Sequence, residues 1–106
     1  MNYIVKAKYG VHIIHIESLL AVEVNDYLST FYVDNGASVT CIESLQKILS
    51  KLPDYFIRIS RSCLINTQHV KSIDYKRREV ELSGNRIHGF SVRNAKVLKQ
   101  MIKPNL

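Results

Sequence analysis

Tryptophan is absent from the 106-residue chain, and cysteine, proline and methionine occur only twice each. So few prolines, with only four glycines, exclude a collagen-like or low-complexity chain. Two cysteines exclude a disulfide-stapled scaffold. Cys41 and Cys63 form no CxxC pair and sit in the apolar runs VTCI and SCLI, so they read as small buried hydrophobes. His12, His15, His69 and His88 share no metal-ligand spacing with one another or with the cysteines. No metal and no cofactor is therefore expected. No apolar run approaches the ~18 residues of a membrane span. The N-terminal stretch MNYIVKAKYG lacks the apolar segment of a signal peptide. The default compartment is cytoplasmic, with no membrane partner. Glycine-rich phosphate loops, GxSxG and paired-carboxylate signatures are all missing. The acidic residues fall mostly at turns or element ends, so an enzyme is not expected.

What the chain does have is 46% hydrophobic residues and a net charge of +6. That composition is globular, and the length fits one domain spanning residues 1–106. A chain of this size buries somewhat over ~60% of its unfolded surface, enough for a core without staples. The basic balance suits a polyanionic partner: nucleic acid or, less often, an anionic membrane surface.

Turn signals recur at short intervals at Tyr9-Gly10, Asp34-Asn35-Gly36, Lys76-Arg77-Arg78 and Ser83-Gly84-Asn85. The runs between them are rich in Val, Ile, Tyr, Phe and Thr, as strands are. Strands are expected at 3–8, 11–16, 20–25, 28–33, 37–42, 55–59, 63–66, 70–75, 79–83 and 86–90. Asp34-Asn35-Gly36 between STFYV and ASVTCI is the best hairpin signal. Two segments break this pattern. Over 42–52, Leu45, Ile48, Leu49 and Leu52 form one helical stripe, opened by Glu43, closed by Lys47 and Lys51, and stopped by Pro53. Over 91–102, Ser91 suits an N-cap, Val92, Ala95, Leu98 and Ile102 form the stripe, and Pro104 lies beyond. The fold is mainly β, with short antiparallel strands, a middle helix and a C-terminal helix. No βαβ alternation supports a parallel sheet.

The stretch FIRISRSCLIN, 56–66, places Arg58, Ser60, Arg61 and Ser62 between apolar residues. In a strand over 55–59, Phe56 and Arg58 share one face while Ile57 and Ile59 take the other. Arg58 then sits at a sheet margin or pairs with a carboxylate. Arg61 falls on a short connection, either as a plain loop residue or as a groove contact with Ser60 and Ser62 beside it. Arginine can grip guanine with two hydrogen bonds, and serine reaches phosphate. Arg93, in the first turn of the last helix, is a cation at the positive end of the dipole. It is either solvated or set there for an anion. In EVNDYLST, 23–30, Asn25 and Asp26 mark a hairpin tip, with Tyr27 and Ser29 following. Lys76 and Arg77 lie in a basic turn that can add backbone affinity without specificity.

Carrying these residues, the chain resembles the LytTR domain, the DNA-binding output module of many bacterial response regulators. LPDYFIRISRSCLINTQHVKSID resembles the family's aromatic-Ile/Val-Arg core, polar serine-bearing loop and following apolar-apolar-Asn. GFSVRNAKVLK resembles its Ser-x-Arg opening of the last helix, LLAVEVNDYLSTFYVDNG its early segment, and ESLQKILSKL its middle helix. The resemblance implies about ten strands flanked by short helices. It also implies loops entering successive major grooves of bent double-stranded DNA, with homodimers on paired direct repeats. By it, Arg61 falls on the base-reading position, with Ser60 and Ser62 beside it. Arg93 matches the helix-opening arginine, followed by Asn94, and the early contact falls near Asn25, Tyr27 and Ser29. Some members carry Asn where Arg61 stands, which implies a different base preference. This chain has one residue fewer between Glu23 and Tyr27 than many members. Members usually follow a phosphorylated receiver domain, for which 106 residues leave no room. An excised output domain and a stand-alone regulator both fit.

Two other classes remain. An RNA-binding β module would stack bases on exposed tyrosines. A protein-interaction domain would carry its basic face incidentally.

Overall fold

The computed structural model describes residues 1–102; the expected helix stop at Pro104 lies outside them. The expected ten strands are present: β1 (Asn2–Ala7), β2 (Gly10–His15), β3 (Leu19–Asn25), β4 (Leu28–Val33), β5 (Ser38–Cys41), β6 (Phe56–Ser60), β7 (Cys63–Asn66), β8 (Val70–Asp74), β9 (Glu79–Leu82) and β10 (Arg86–Gly89). Helix α1 is Leu45–Ser50 and α2 is Val92–Met101. The strands form three antiparallel sheets: β1-β2, β5-β4-β3-β7-β6 and β10-β9-β8. Among the described residues no helix is long and apolar enough to cross a membrane.

The five-stranded sheet is packed on both faces. On one, Val22, Phe31, Phe56 and Leu64 meet Tyr3, Val5 and Ile14 of the first hairpin and Leu45 and Ile48 of α1. On the other, Ala21, Ile57, Ile59, Cys63 and Ile65 meet Val80 and Leu82 of the three-stranded sheet and Leu98 of α2. The period-2 alternation of FIRIS delivers this split: Phe56 faces the first core, Ile57 and Ile59 the second. All four residues of β7 are buried, as a strand between two cores requires. Asn66 is tolerated there because its Nδ2 donates to the Leu19 carbonyl at 3.0 Å and its Oδ1 accepts from the Gln68 amide at 2.9 Å. The Asp34-Asn35-Gly36 hairpin forms as expected, with Gly36 at φ +88°.

The helices depart from expectation at their edges. The middle helix is shorter than 42–52 because Ser44 caps it, its Oγ accepting from the Lys47 amide at 3.2 Å. Glu43 falls outside and instead takes the Tyr3 hydroxyl and the Lys51 ammonium. In α2, Leu98 is buried and Ala95 and Ile102 are half-buried, but Val92 is 68% exposed. The apolar stripe starts one turn later because the first turn is the end that faces solvent. Cys63 is buried and Cys41 half-buried, and both are unbridged.

Candidate nucleic-acid interface

Three segments far apart in sequence meet at one end of the central sheet. β3 and β7 pair antiparallel, with Glu23 opposite Cys63, so the β3–β4 tip and the β6–β7 tip lie side by side. The Val24 amide donates to the Ser62 carbonyl at 2.8 Å, tying one tip to the root of the other. The start of α2 is fixed to the same place. The Ser91 amide donates to the Ile59 carbonyl at 2.9 Å, and Asn94 Nδ2 donates to the Arg58 carbonyl at 3.0 Å.

The β6–β7 tip is a two-residue turn of Arg61 and Ser62, with a bulge between Arg58 and Ser60. Ser60 braces it, its Oγ accepting from the Ser62 amide at 3.2 Å. Arg58 braces it further: Nε donates to the Ser60 carbonyl at 3.2 Å and an Nη to the Arg61 carbonyl at 2.6 Å. Arg58 sits at the sheet margin as anticipated, on the edge strand β6, but among the described residues it pairs with no carboxylate. Its guanidinium meets backbone carbonyls rather than a carboxylate because the bulge turns those carbonyls toward it. Arg58 is therefore a positioning residue that the sequence reading missed; a half-buried arginine two residues before a polar turn was the only signal.

Arg61 and Arg93 are exposed. Among the described residues neither has a carboxylate within salt-bridge distance. Arg93 sits in the first turn of α2, where the dipole disfavours a cation unless an anion is near. Asn25 and Tyr27 are exposed at the other tip, Tyr27 at 72%, with Asp26 at φ +58°, a conformation aspartate tolerates.

Two expected contact residues are otherwise engaged. Ser29 is fully buried in β4, and its hydroxyl donates to the Glu43 carbonyl at 2.6 Å, so it presents nothing to a ligand. It points inward because Leu28 closes the hairpin opposite Asn25 and sets the alternation behind it. Besides reaching Arg58, Asn94 accepts from the Ser91 hydroxyl at 2.6 Å, making it a cap and strut for α2. The β8–β9 turn is ordered by Asp74, whose Oδ1 accepts from the amides of Lys76 (3.0 Å) and Arg77 (2.9 Å). Lys76 is exposed, while Arg77 has only Asp74 at 4.0 Å, an exposed pair worth little. The Phe90 amide donates to the Arg78 carbonyl at 2.9 Å, which sets this basic turn beside the residue leading into α2.

The family profile of the LytTr DNA-binding domain matches residues 9–103. The chain belongs to the LytTR family. Among solved structures, this LytTR domain is similar to the LytTr DNA-binding domain of a Bacillus cereus protein described as a methyl-accepting/DNA response regulator. The two superpose with a TM-score of 0.81 and 22% identity over 94% of each chain, a likeness of fold. No curated protein sequence matches. The family is one of DNA-binding domains rather than of catalysts.

Proposed function

We propose that this LytTR domain binds double-stranded DNA in a sequence-specific way and regulates bacterial transcription as the output of a response regulator. The β6–β7 tip and the start of α2 enter successive major grooves, with the β3–β4 tip contacting beside them, and the duplex bends to admit them. Arg61 reads a base edge, Arg93 contacts a base edge or phosphate, and Ser60, Ser62, Asn25 and Tyr27 make flanking contacts. Lys76 and Arg77 add sequence-independent attraction. Two copies pair on spaced direct repeats.

One observation carries this reading. Two exposed arginines, without acidic partners among the described residues, stand on tied segments at the same end of one sheet. Arginines in fixed geometry are suited to bidentate recognition of bases and phosphates.

The test is selection from a random duplex library, run in parallel on the wild type and Arg61→Ala. A short motif in two spaced copies is expected. The substitution should cost about 1–3 kcal/mol of specific affinity and relax preference at one position. An unchanged motif from a folded Arg61→Ala protein would refute base reading by Arg61. Enrichment of single strands over duplex would move the assignment to RNA.

A further inference from the structure

Glu23, Cys63 and His88 converge beneath the interface. Glu23 and Cys63 are cross-strand partners, so their side chains leave the same face of the sheet, and β10 brings His88 against them from the three-stranded sheet. His88 Nδ1 lies 3.6 Å from Cys63 Sγ and 3.3 Å from a Glu23 carboxylate oxygen. All three ligand atoms fall within 4.8 Å of one another. A tetrahedral Zn²⁺ with bonds of about 2.0–2.3 Å to O, N and S needs neighbouring ligand atoms about 3.3–3.6 Å apart. The two shorter separations already match. Spacing in the sequence could not reveal this set, because three strands contribute one ligand each.

The chemistry of the cluster agrees. Burial holds the His88 imidazole below the usual histidine range, so the ring is the neutral form that ligates. With Nδ1 as the ligand the ring proton sits on Nε2, which among the described residues is buried without a partner. In that tautomer the Nδ1 lone pair already faces Cys63 and Glu23. Burial and the Glu23 carboxylate push the Cys63 thiol up to about 12, so its proton leaves only as the ion binds; the thiolate and the carboxylate then neutralise a divalent ion. The Arg86 guanidinium, stacked on Tyr32 at 3.6 Å, favours the thiolate form of Cys63. The Glu23 side chain is 43% exposed, which leaves a solvent side for a water as fourth ligand. A sulfur ligand beside imidazole selects the borderline ions and disfavours Mg²⁺ and Ca²⁺.

We propose that Cys63 Sγ, His88 Nδ1 and Glu23 form a binding site for a divalent transition-metal ion of the Zn²⁺ class. Binding displaces the thiol proton to solvent. Each ligand lies at the root of an interface segment: Glu23 two residues before Asn25, Cys63 directly after Ser62, His88 three residues before Ser91. On the DNA-binding reading above, on which this consequence alone rests, the ion clamps the three segments and strengthens specific binding.

The experiment is a Co²⁺ titration of the reduced, chelator-treated chain without DNA. A sulfur-to-cobalt charge-transfer band saturating at one equivalent is expected. It should be lost in Cys63→Ser, weakened at least about tenfold in Glu23→Gln and kept in Cys41→Ser. Zn²⁺ should raise the melting temperature of the wild type more than that of Glu23→Gln, which guards against a Cys63→Ser protein that fails to fold. No band, or one that follows Cys41, would overturn the site and leave a hydrogen-bonded trio. Zn²⁺-independent affinity for the selected duplex would overturn the clamp while leaving the site intact.

Discussion

The two hairpin tips at the interface are built on opposite plans. The Arg61-Ser62 tip carries a cation and is braced by Arg58, by Ser60 and by the amide of the neighbouring strand. The Asp26-Tyr27 tip carries an anion and an exposed ring, and among the described residues no side-chain hydrogen bond holds it. If Arg61 reads a base as proposed, it must be held within a fraction of an ångström, which an over-determined turn provides. A flanking contact can adapt, and its turn rests on backbone pairing alone. On the proposed function, the first tip supplies specificity and the second supplies area.

The widest gap between them should come from the core below. Ile59 is fully buried under the β6–β7 tip, and its carbonyl accepts from the amide of Ser91, the N-cap of α2. Ile59→Ala should cost about 2–5 kcal/mol of stability in urea unfolding. Tyr27→Ala, at the other tip, should change stability by less than about 0.5 kcal/mol. Comparable losses would mean that both tips rest on the same core.

Arg58 gives the next contrast. Arg58→Met keeps the stem and removes the bonds to the Ser60 and Arg61 carbonyls. Specific affinity should fall by about 1 kcal/mol, the scale of a hydrogen bond in water. Affinity for unrelated duplex should stay nearly unchanged, because the cation lost is half-buried. Binding isotherms on both DNAs decide it; equal losses would make Arg58 a phosphate contact instead of a brace.

The strands were legible because Val, Ile, Phe and Tyr runs are punctuated by turn residues such as Asp34-Asn35-Gly36, and Pro53 marks the stop of the middle helix. The sheet order was not, since pairing β3 with β7 depends on a contact forty residues away that no local pattern encodes. At the interface, Arg61 and Arg93 were legible as polar residues at element ends. Ser29 was misplaced because its alternation is set by the turn before it. The strut role of Asn94 was not legible, because a side chain that ties a helix to a strand and one that contacts a ligand look alike in one dimension. The Glu23–Cys63–His88 cluster was invisible for the same reason as the sheet order: its members meet only after two sheets pack.

The smallest expected effect sharpens the comparison at the second tip. Asp26 places a carboxylate on the surface proposed to meet a polyanion. Repulsion from phosphate should weaken binding to every duplex, and it should be screened by salt. Asp26→Asn keeps the left-handed backbone at this position, which asparagine also tolerates, so the turn should be preserved. Affinity should then rise by no more than about fivefold for specific and unrelated DNA alike, the scale of an exposed charge pair. The gain should shrink as salt is raised. A gain confined to one sequence would instead show Asp26 rejecting a particular base, and the adaptable tip would then share in the reading.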